Sequence, residues 1–156
     1  MKLIRFGKPG QEKPGIELPD GTRLDTSAFG QDYTEEFFSN NGLARLSDWL
    51  INNRAGCPEV SNNVRLGPPI NRPSKIVCVG LNYSDHATES NMQLPSEPVI
   101  FFKSTTAICG PNDNVMIPKN SKKTDWEVEL GVVIGKKATY VEEKDANDHI
   151  AGYILH

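Results

Sequence analysis

Apolar and polar residues alternate with a period of two across Thr124–Gly135, TDWEVELGVVIG, the clearest strand pattern in the chain. Successive side chains of an extended strand point to opposite faces. Trp126, Val128, Leu130, Val132 and Ile134 therefore share an apolar face, and Glu127 and Glu129 project together from the other. The two carboxylates stand about 6.6 Å apart along the strand, and Gly131 and Val133 continue their face without charge. Two readings fit: a half-exposed strand with a solvated carboxylate face, or a pair of ligands splayed toward one divalent cation.

The same patterning lays out the rest of the chain. Lys2–Phe6 reads as a strand, and Ile16–Leu18 and Thr22–Leu24 flank the turn signal Pro19-Asp20-Gly21, which predicts a hairpin. Asp25–Asn40 is polar with aromatics spaced through it, a loop with a helical turn. Leu43, Leu46, Trp49 and Leu50 recur at helical spacing behind Asn40 or Asn41 as N-cap, and Gly56 and Pro58 end that helix. Gly56–Pro73, with Pro58, Gly67, Pro68, Pro69 and Pro73, reads as a linker. It divides a small β/α domain, 1–70, from a second domain, 71–156. Beyond it lie strands at Lys75–Val79, Pro98–Lys103, Val115–Ile117, Trp126–Ile134 and Thr139–Val141, a short helix around Lys144–Ile150, and a strand beginning at Gly152–His156. The fold class is α+β and β-rich.

Composition narrows the function. Lys and Arg number 17 against 20 Asp and Glu, for a net charge of −3, and form no basic block, which argues against a nucleic-acid partner. No apolar run reaches the length of a membrane span, and MKLIRFGKPG lacks the apolar core of a signal peptide. Cys57, Cys78 and Cys109 have no CxxC spacing, which fits reduced thiols in the cytoplasm. Thirteen glycines and 11 prolines suit short strands and turns.

Polar chemistry collects after the first strand of the second domain, in Gly80-Leu81-Asn82-Tyr83-Ser84-Asp85-His86-Ala87-Thr88-Glu89. A helical turn starting at Ser84 or Asp85 places His86 and Glu89 on one face. A carboxylate so placed orients an imidazole as a general base, although the same spacing also describes an exposed surface pair. The apolar run before Lys103 and Ser104 ends in a Ser/Thr cluster suited to a substrate carboxylate, or to a strand leaving the core for a polar loop.

Taken together, VGLNYSDHATE (Val79–Glu89), EPVIFFKSTTAICGPND (Glu97–Asp113), DWEVELGVVIGKKA (Asp125–Ala138) and DHIAGY (Asp148–Tyr153) resemble the fumarylacetoacetate hydrolase family, in its order and at its spacing. The segment RFGKPGQEKPG (Arg5–Gly15) is similar to the leader domain of bacterial members described as 2,4-diketo-3-deoxy-sugar-acid hydrolases, whose relatives are often labelled ureidoglycolate lyase. The resemblance implies a mixed, barrel-like catalytic domain, incomplete here, and a metal-dependent hydrolase that cleaves a carbon–carbon bond of a 2,4-dioxo acid and releases pyruvate. It implies Mg²⁺ or Mn²⁺ held by Glu127 and Glu129, His86 as base with Glu89 orienting it, and Asn82, Tyr83, Lys103 and Ser104 toward substrate. It also implies a homodimer in the complete protein. A lyase, an isomerase or a decarboxylase would use the same scaffold, and a non-catalytic fragment is the alternative outside enzymes. The family's third ligand is the Asp of an Asn-Asp-x-Ser motif a few residues past the GY pair. That position falls beyond His156, so the chain is expected to be an N-terminal part carrying two of three ligands.

Overall fold

The computed structural model describes residues 1–89 and 91–156, with the side chain of His86 also outside the description. The architecture is α+β and rich in strands. Two compact units form, Met1–Asn71 with Cys109–His156, and Arg72–Ile108.

The first unit opens with four antiparallel strands, β1 (Lys2–Phe6), β2 (Lys13–Glu17), β3 (Arg23–Asp25) and β4 (Leu66–Gly67), in the spatial order β3-β2-β1-β4. The hairpin between β2 and β3 closes as its turn residues dictate. Gly21 takes φ +86°, the Thr22 amide donates to Asp20 Oδ1 at 2.9 Å, and the Leu18 amide donates to the Thr22 carbonyl at 2.8 Å. β4 corrects the linker expected over Gly56–Pro73. Leu66 and Gly67 pair with Phe6 and Arg5 at the free edge of β1, a partnership no local pattern announces.

Two helices cover one face of this sheet. Helix α1 (Glu35–Ser39) is capped by Thr34, whose side chain accepts from the Phe37 amide at 3.3 Å. Helix α2 (Gly42–Asn53) follows after Asn41, which makes no side-chain cap and stands instead in the left-handed region at φ +54°. The reason is the tightness of the corner: a Cβ on Gly42 would sit 2.3 Å from the Phe37 carbonyl oxygen. Ile16, Leu24, Tyr33, Phe37 and Leu46 form the buried centre, with Leu43, Trp49 and Leu50 packed around it. Phe37 meets Tyr33 and Phe38 at ring separations of 5.1 Å, inside the range where aromatic pairs add to burial. Tyr33, fully buried, donates its hydroxyl to the Gly15 carbonyl at 2.8 Å and lies 3.1 Å from Thr26 Oγ1.

An ion-pair relay crosses the same unit. Arg5, 6% exposed, grips Asp32 with Nε and Nη2 at 2.8 and 2.9 Å. Arg65 grips Asp113 and also donates to Glu12 Oε1 at 2.9 Å and to the Gly7 carbonyl at 3.0 Å. Burial pushes the Glu12 carboxyl up, and the Arg65 hydrogen bond with the charges of Arg5 and Arg65 outweighs it, leaving the group below its ordinary value.

The second unit is built on an antiparallel ribbon, β5 (Ile76–Gly80) and β6 (Val99–Lys103), with helix α3 (Ser84–Glu89) between them in sequence. The later part of the first unit carries a second ribbon, β7 (Leu130–Ile134) with β8 (Ile150–Leu155), whose register shifts between Val133 and Ile134. A 3-10 helix, Glu143–His149, stands where a short helix was expected. Val115–Ile117 and Thr139–Val141 form no strands; Val115, Met116 and Tyr140 are 73%, 91% and 102% exposed. No closed barrel forms among the described residues.

Candidate functional site

In the second unit the chain leaves β5 at Gly80 and turns through Leu81, whose φ of +52° is left-handed and unusual for a branched, bulky residue. That turn delivers Asn82 and Tyr83, both exposed, directly ahead of α3. The helix is pinned by the Ala87 amide donating to the Tyr83 carbonyl at 3.1 Å and by Thr88 Oγ1 donating to the Ser84 carbonyl at 2.9 Å. Ala87, 1% exposed, is its buried position. His86 and Glu89 fall within α3 at the three-residue spacing that shares a helical face. Glu89 is exposed, and the His86 side chain lies outside the described residues.

The register of the ribbon separates the remaining candidates. Gly80 pairs with Val99 and Ile76 with Lys103. Lys103 and Ser104 therefore leave the ribbon at the end opposite to Asn82 and Tyr83, four residue steps or about 14 Å along the strands. Ser104 also has a structural task. It caps the 3-10 turn Thr105–Ala107, accepting from the Thr106 amide at 3.3 Å and lying 2.7 Å from Thr106 Oγ1.

The two glutamates belong to the first unit. Only Glu129 enters a ladder: its amide donates to the His156 carbonyl at 2.7 Å, and the His156 amide returns a bond to the Glu129 carbonyl at 2.8 Å. Trp126, Glu127 and Val128 lie outside β7, which shortens the strand expected over Trp126–Ile134. β8 pairs with β7 from Leu155 back to Ile150, and the Glu129–His156 exchange lies next to the Leu130–Leu155 pair. Glu129 is half-buried and Glu127 exposed.

The apolar face of this ribbon is open. Leu130, Val132, Ile134, Tyr153 and Leu155 are between 47% and 81% exposed, while Gly131, Val133 and Ile154, on the glutamate side, are partly covered. An apolar stripe of this kind is unusual on a free surface.

Hard carboxylate oxygens suit Mg²⁺ or Mn²⁺, so the donor chemistry of Glu127 and Glu129 fits a divalent ion. As the side chains stand, no group of three His, Cys, Asp or Glu converges on one point among the described residues. Sequence reasoning singled out both glutamates but not His156, whose place opposite Glu129 is a matter of strand register. No described helix is long and apolar enough to cross a membrane.

Comparison with known proteins extends this picture. A family described as fumarylacetoacetate (FAA) hydrolase, C-terminal, matches residues 75–156. Two provisionally named hydrolases, from Burkholderia multivorans and Burkholderia cenocepacia, are each 52% identical over 155 residues, covering 99% of this chain and 54% of their own length. The chain thus spans about half the length of the curated relatives it matches. Among solved structures, a fumarylacetoacetate hydrolase from Exiguobacterium antarcticum aligns with a TM-score of 0.77 at 27% identity, covering 99% of this chain and 54% of that one. A maleylpyruvate hydrolase from a Sphingobium species aligns with a TM-score of 0.72 at 25% identity, covering 99% and 57%.

Proposed function

Because the chain belongs to the fumarylacetoacetate hydrolase family, we propose that it is part of a metal-dependent hydrolase that cleaves a 2,4-dioxo acid and releases pyruvate. The observation that carries this reading is the match across residues 75–156, which holds all the candidate residues. The likeness to a maleylpyruvate hydrolase supports hydrolysis over elimination, isomerisation or decarboxylation on the same scaffold.

In this reading Glu127 and Glu129 hold Mg²⁺ or Mn²⁺, with further donors supplied in the complete protein. The ion contributes Lewis acidity, offsetting negative charge that develops on the oxygens of the 2-oxo acid. His86 takes a proton from the attacking water, and Glu89, one helical turn away, keeps the imidazole oriented and basic. The water oxygen joins the distal carbonyl carbon, the bond from that carbon to the methylene breaks, and the electron pair stays with the pyruvate fragment, which is then protonated. Asn82 and Tyr83 offer hydrogen bonds to the bound acid. Lys103 and Ser104 act on the substrate only if the complete site brings their end of the ribbon to it. The complete enzyme works as a cytoplasmic homodimer in this reading.

The test is a coupled assay for pyruvate with the complete protein, offered a panel of acylpyruvates and 2,4-diketo-3-deoxy sugar acids with and without Mg²⁺ or Mn²⁺. Pyruvate release that chelation abolishes and added ion restores is expected. Absence of pyruvate with every substrate, in the presence of a bound divalent ion, overturns the reading.

A further inference from the structure

The chain leaves the first unit after Asn71 and re-enters it at Cys109, and both crossings are tied to one charged relay. At the first, the Asn71 amide donates to the Tyr33 carbonyl at 2.9 Å, and its side-chain Nδ2 donates to Asp32 Oδ2 at 2.8 Å. Asp32 is in turn held by Arg5. Arg72, the next residue, stands at φ +49°, a conformation that a residue other than glycine keeps only where its surroundings impose it. At the second crossing the Gly110 amide donates to Asp113 Oδ2, and Arg65 holds Asp113. Glu12 joins the two halves. Its Oε1 accepts from Arg65 Nη1 at 2.9 Å, its Oε2 lies 3.9 Å from Arg5 Nη1, and its backbone carbonyl accepts from Arg5 Nη2 at 3.4 Å.

We propose that Glu12 is a positioning residue for the proposed cleavage, a role that rests on that reading: through Arg5 and Arg65 it fixes both ends of the segment Arg72–Ile108, which carries His86 and Glu89. The Glu12 side chain is 8% exposed and that of Arg5 7%, so salt screens the contact little. Loss of the Glu12 charge would leave buried partners uncompensated. A carboxylate accepts on both oxygens, whereas an amide of the same shape accepts on one side and donates from the other. Oε2 already accepts from the Gly10 amide at 3.0 Å, and Oε1 from Arg65. In Glu12→Gln one side must therefore set a donor against a donor, and one half of the relay comes loose. Turnover is sensitive to such slack, because a displacement of about 1 Å at a reacting group costs about 10²-fold.

The experiment compares the complete native protein with Glu12→Gln, Asp113→Asn, the double variant of these, and Leu46→Ala as a core variant off the relay. Hydrogen exchange is read at the Asn71 and Gly110 amides. Single-turnover pyruvate release and Mn²⁺ affinity are measured well below every melting temperature. Exchange is expected to quicken severalfold at both amides in Glu12→Gln. Asp113→Asn should quicken the distant Asn71 amide too, with no further effect once Glu12 is replaced. Pyruvate release should fall at least about tenfold in Glu12→Gln and in Asp113→Asn, with Mn²⁺ affinity within about twofold of native, because Glu127 and Glu129 lie outside the segment. Leu46→Ala should keep near-native turnover despite its lower melting temperature. Asn71 exchange at the native rate in both relay variants overturns the tie between the crossings, whatever the activity. Faster exchange with turnover no slower than in Leu46→Ala makes the relay structural and overturns the positioning role. A native protein that releases no pyruvate is the failure of the proposed cleavage, and the positioning role falls with it, while exchange alone decides the tie.

Discussion

Arg65 and Asp113, 48 residues apart, are joined by two parallel hydrogen bonds, Nε to Oδ1 and Nη2 to Oδ2, each 2.6 Å long. The pair locks a tight turn against the N-terminal sheet. The Gly110 amide donates to Asp113 Oδ2 at 2.7 Å, and a Cβ on Gly110 would stand 2.2 Å from the Leu66 carbonyl oxygen. Asp113→Asn keeps the shape of the side chain but loses the charge that makes a forked guanidinium contact strong. Hydrogen exchange at the Gly110 amide is expected to accelerate severalfold in this variant, and Gly110→Ala should release the turn altogether. Unaltered exchange in Asp113→Asn would show that the clamp does not hold the turn.

Acid should unfold the first unit through these carboxylates. Hydrogen bonds from Lys2 and Arg23 hold the Glu17 carboxyl below its ordinary value, the Arg65 hydrogen bond does the same for Asp113, and Glu12 is likewise lowered. A carboxylate with a depressed folded pKa contributes stability that is present above its unfolded value and lost as pH falls through the folded one. The ordinary values are 4.5 for Glu and 3.8 for Asp, so the unfolding midpoint should stay level from pH 7 to pH 5, as far as these groups are concerned, and drop below about pH 4.5. Thermal melts across that range check it, with a shallower acid limb expected for Glu12→Gln.

The aromatic centre sets the main cost of core substitutions. Leu46, 0% exposed among Tyr33 and Phe37, should lose about 2–5 kcal/mol on change to Ala through lost transfer energy and the cavity left behind. Burial pushes the Tyr33 hydroxyl up to about 12, so it stays a neutral donor at any physiological pH. Tyr33→Phe removes that donor from the Gly15 carbonyl and should cost about 1–2 kcal/mol. Urea denaturation measures both, and the order of the two effects is the telling outcome.

Leu81 offers a test of stored backbone strain beside the proposed site. Its φ of +52° penalises β-branched residues most, so Leu81→Ile should lose about 1–3 kcal/mol. Leu81→Gly, which relieves the strain but frees the unfolded chain, should stay within about 1 kcal/mol of the native protein. Equal losses for Ile and Gly would indicate that side-chain contacts, rather than the dihedral, govern the position.

In the complete enzyme, His86→Ala should slow turnover by about 10²-fold or more while leaving Mn²⁺ affinity close to native. Single-turnover pyruvate release and metal titration, run on the same preparation, separate the two effects. Native turnover in this variant removes His86 from the proton transfer.

Patterns local in sequence were legible wherever a few neighbouring residues decide the outcome. The turn at Pro19-Asp20-Gly21, strand β1, the helical stripe through Leu43, Leu46 and Leu50, and the His86/Glu89 spacing on α3 all depend on propensities and periods spanning one or two turns. The four segments that carry the family resemblance were legible for the same reason, being contiguous runs of residues.

Contacts between distant segments were not. Leu66 and Gly67 look like linker until the edge of β1 pairs with them. The alternation from Trp126 to Ile134 suggests one long strand, but among the described residues β7 spans Leu130–Ile134, and which residue faces which is set by its register with β8. Lys103 stands in sequence near the site motifs, yet its pairing with Ile76 carries it to the far end of the ribbon. The sequence by itself determined which side chains could do chemistry, because residue type and local period are written in adjacent positions. Which of them face one another was decided only by the tertiary structure, because strand register and ion pairs such as Arg65–Asp113 depend on groups tens of residues apart meeting in space.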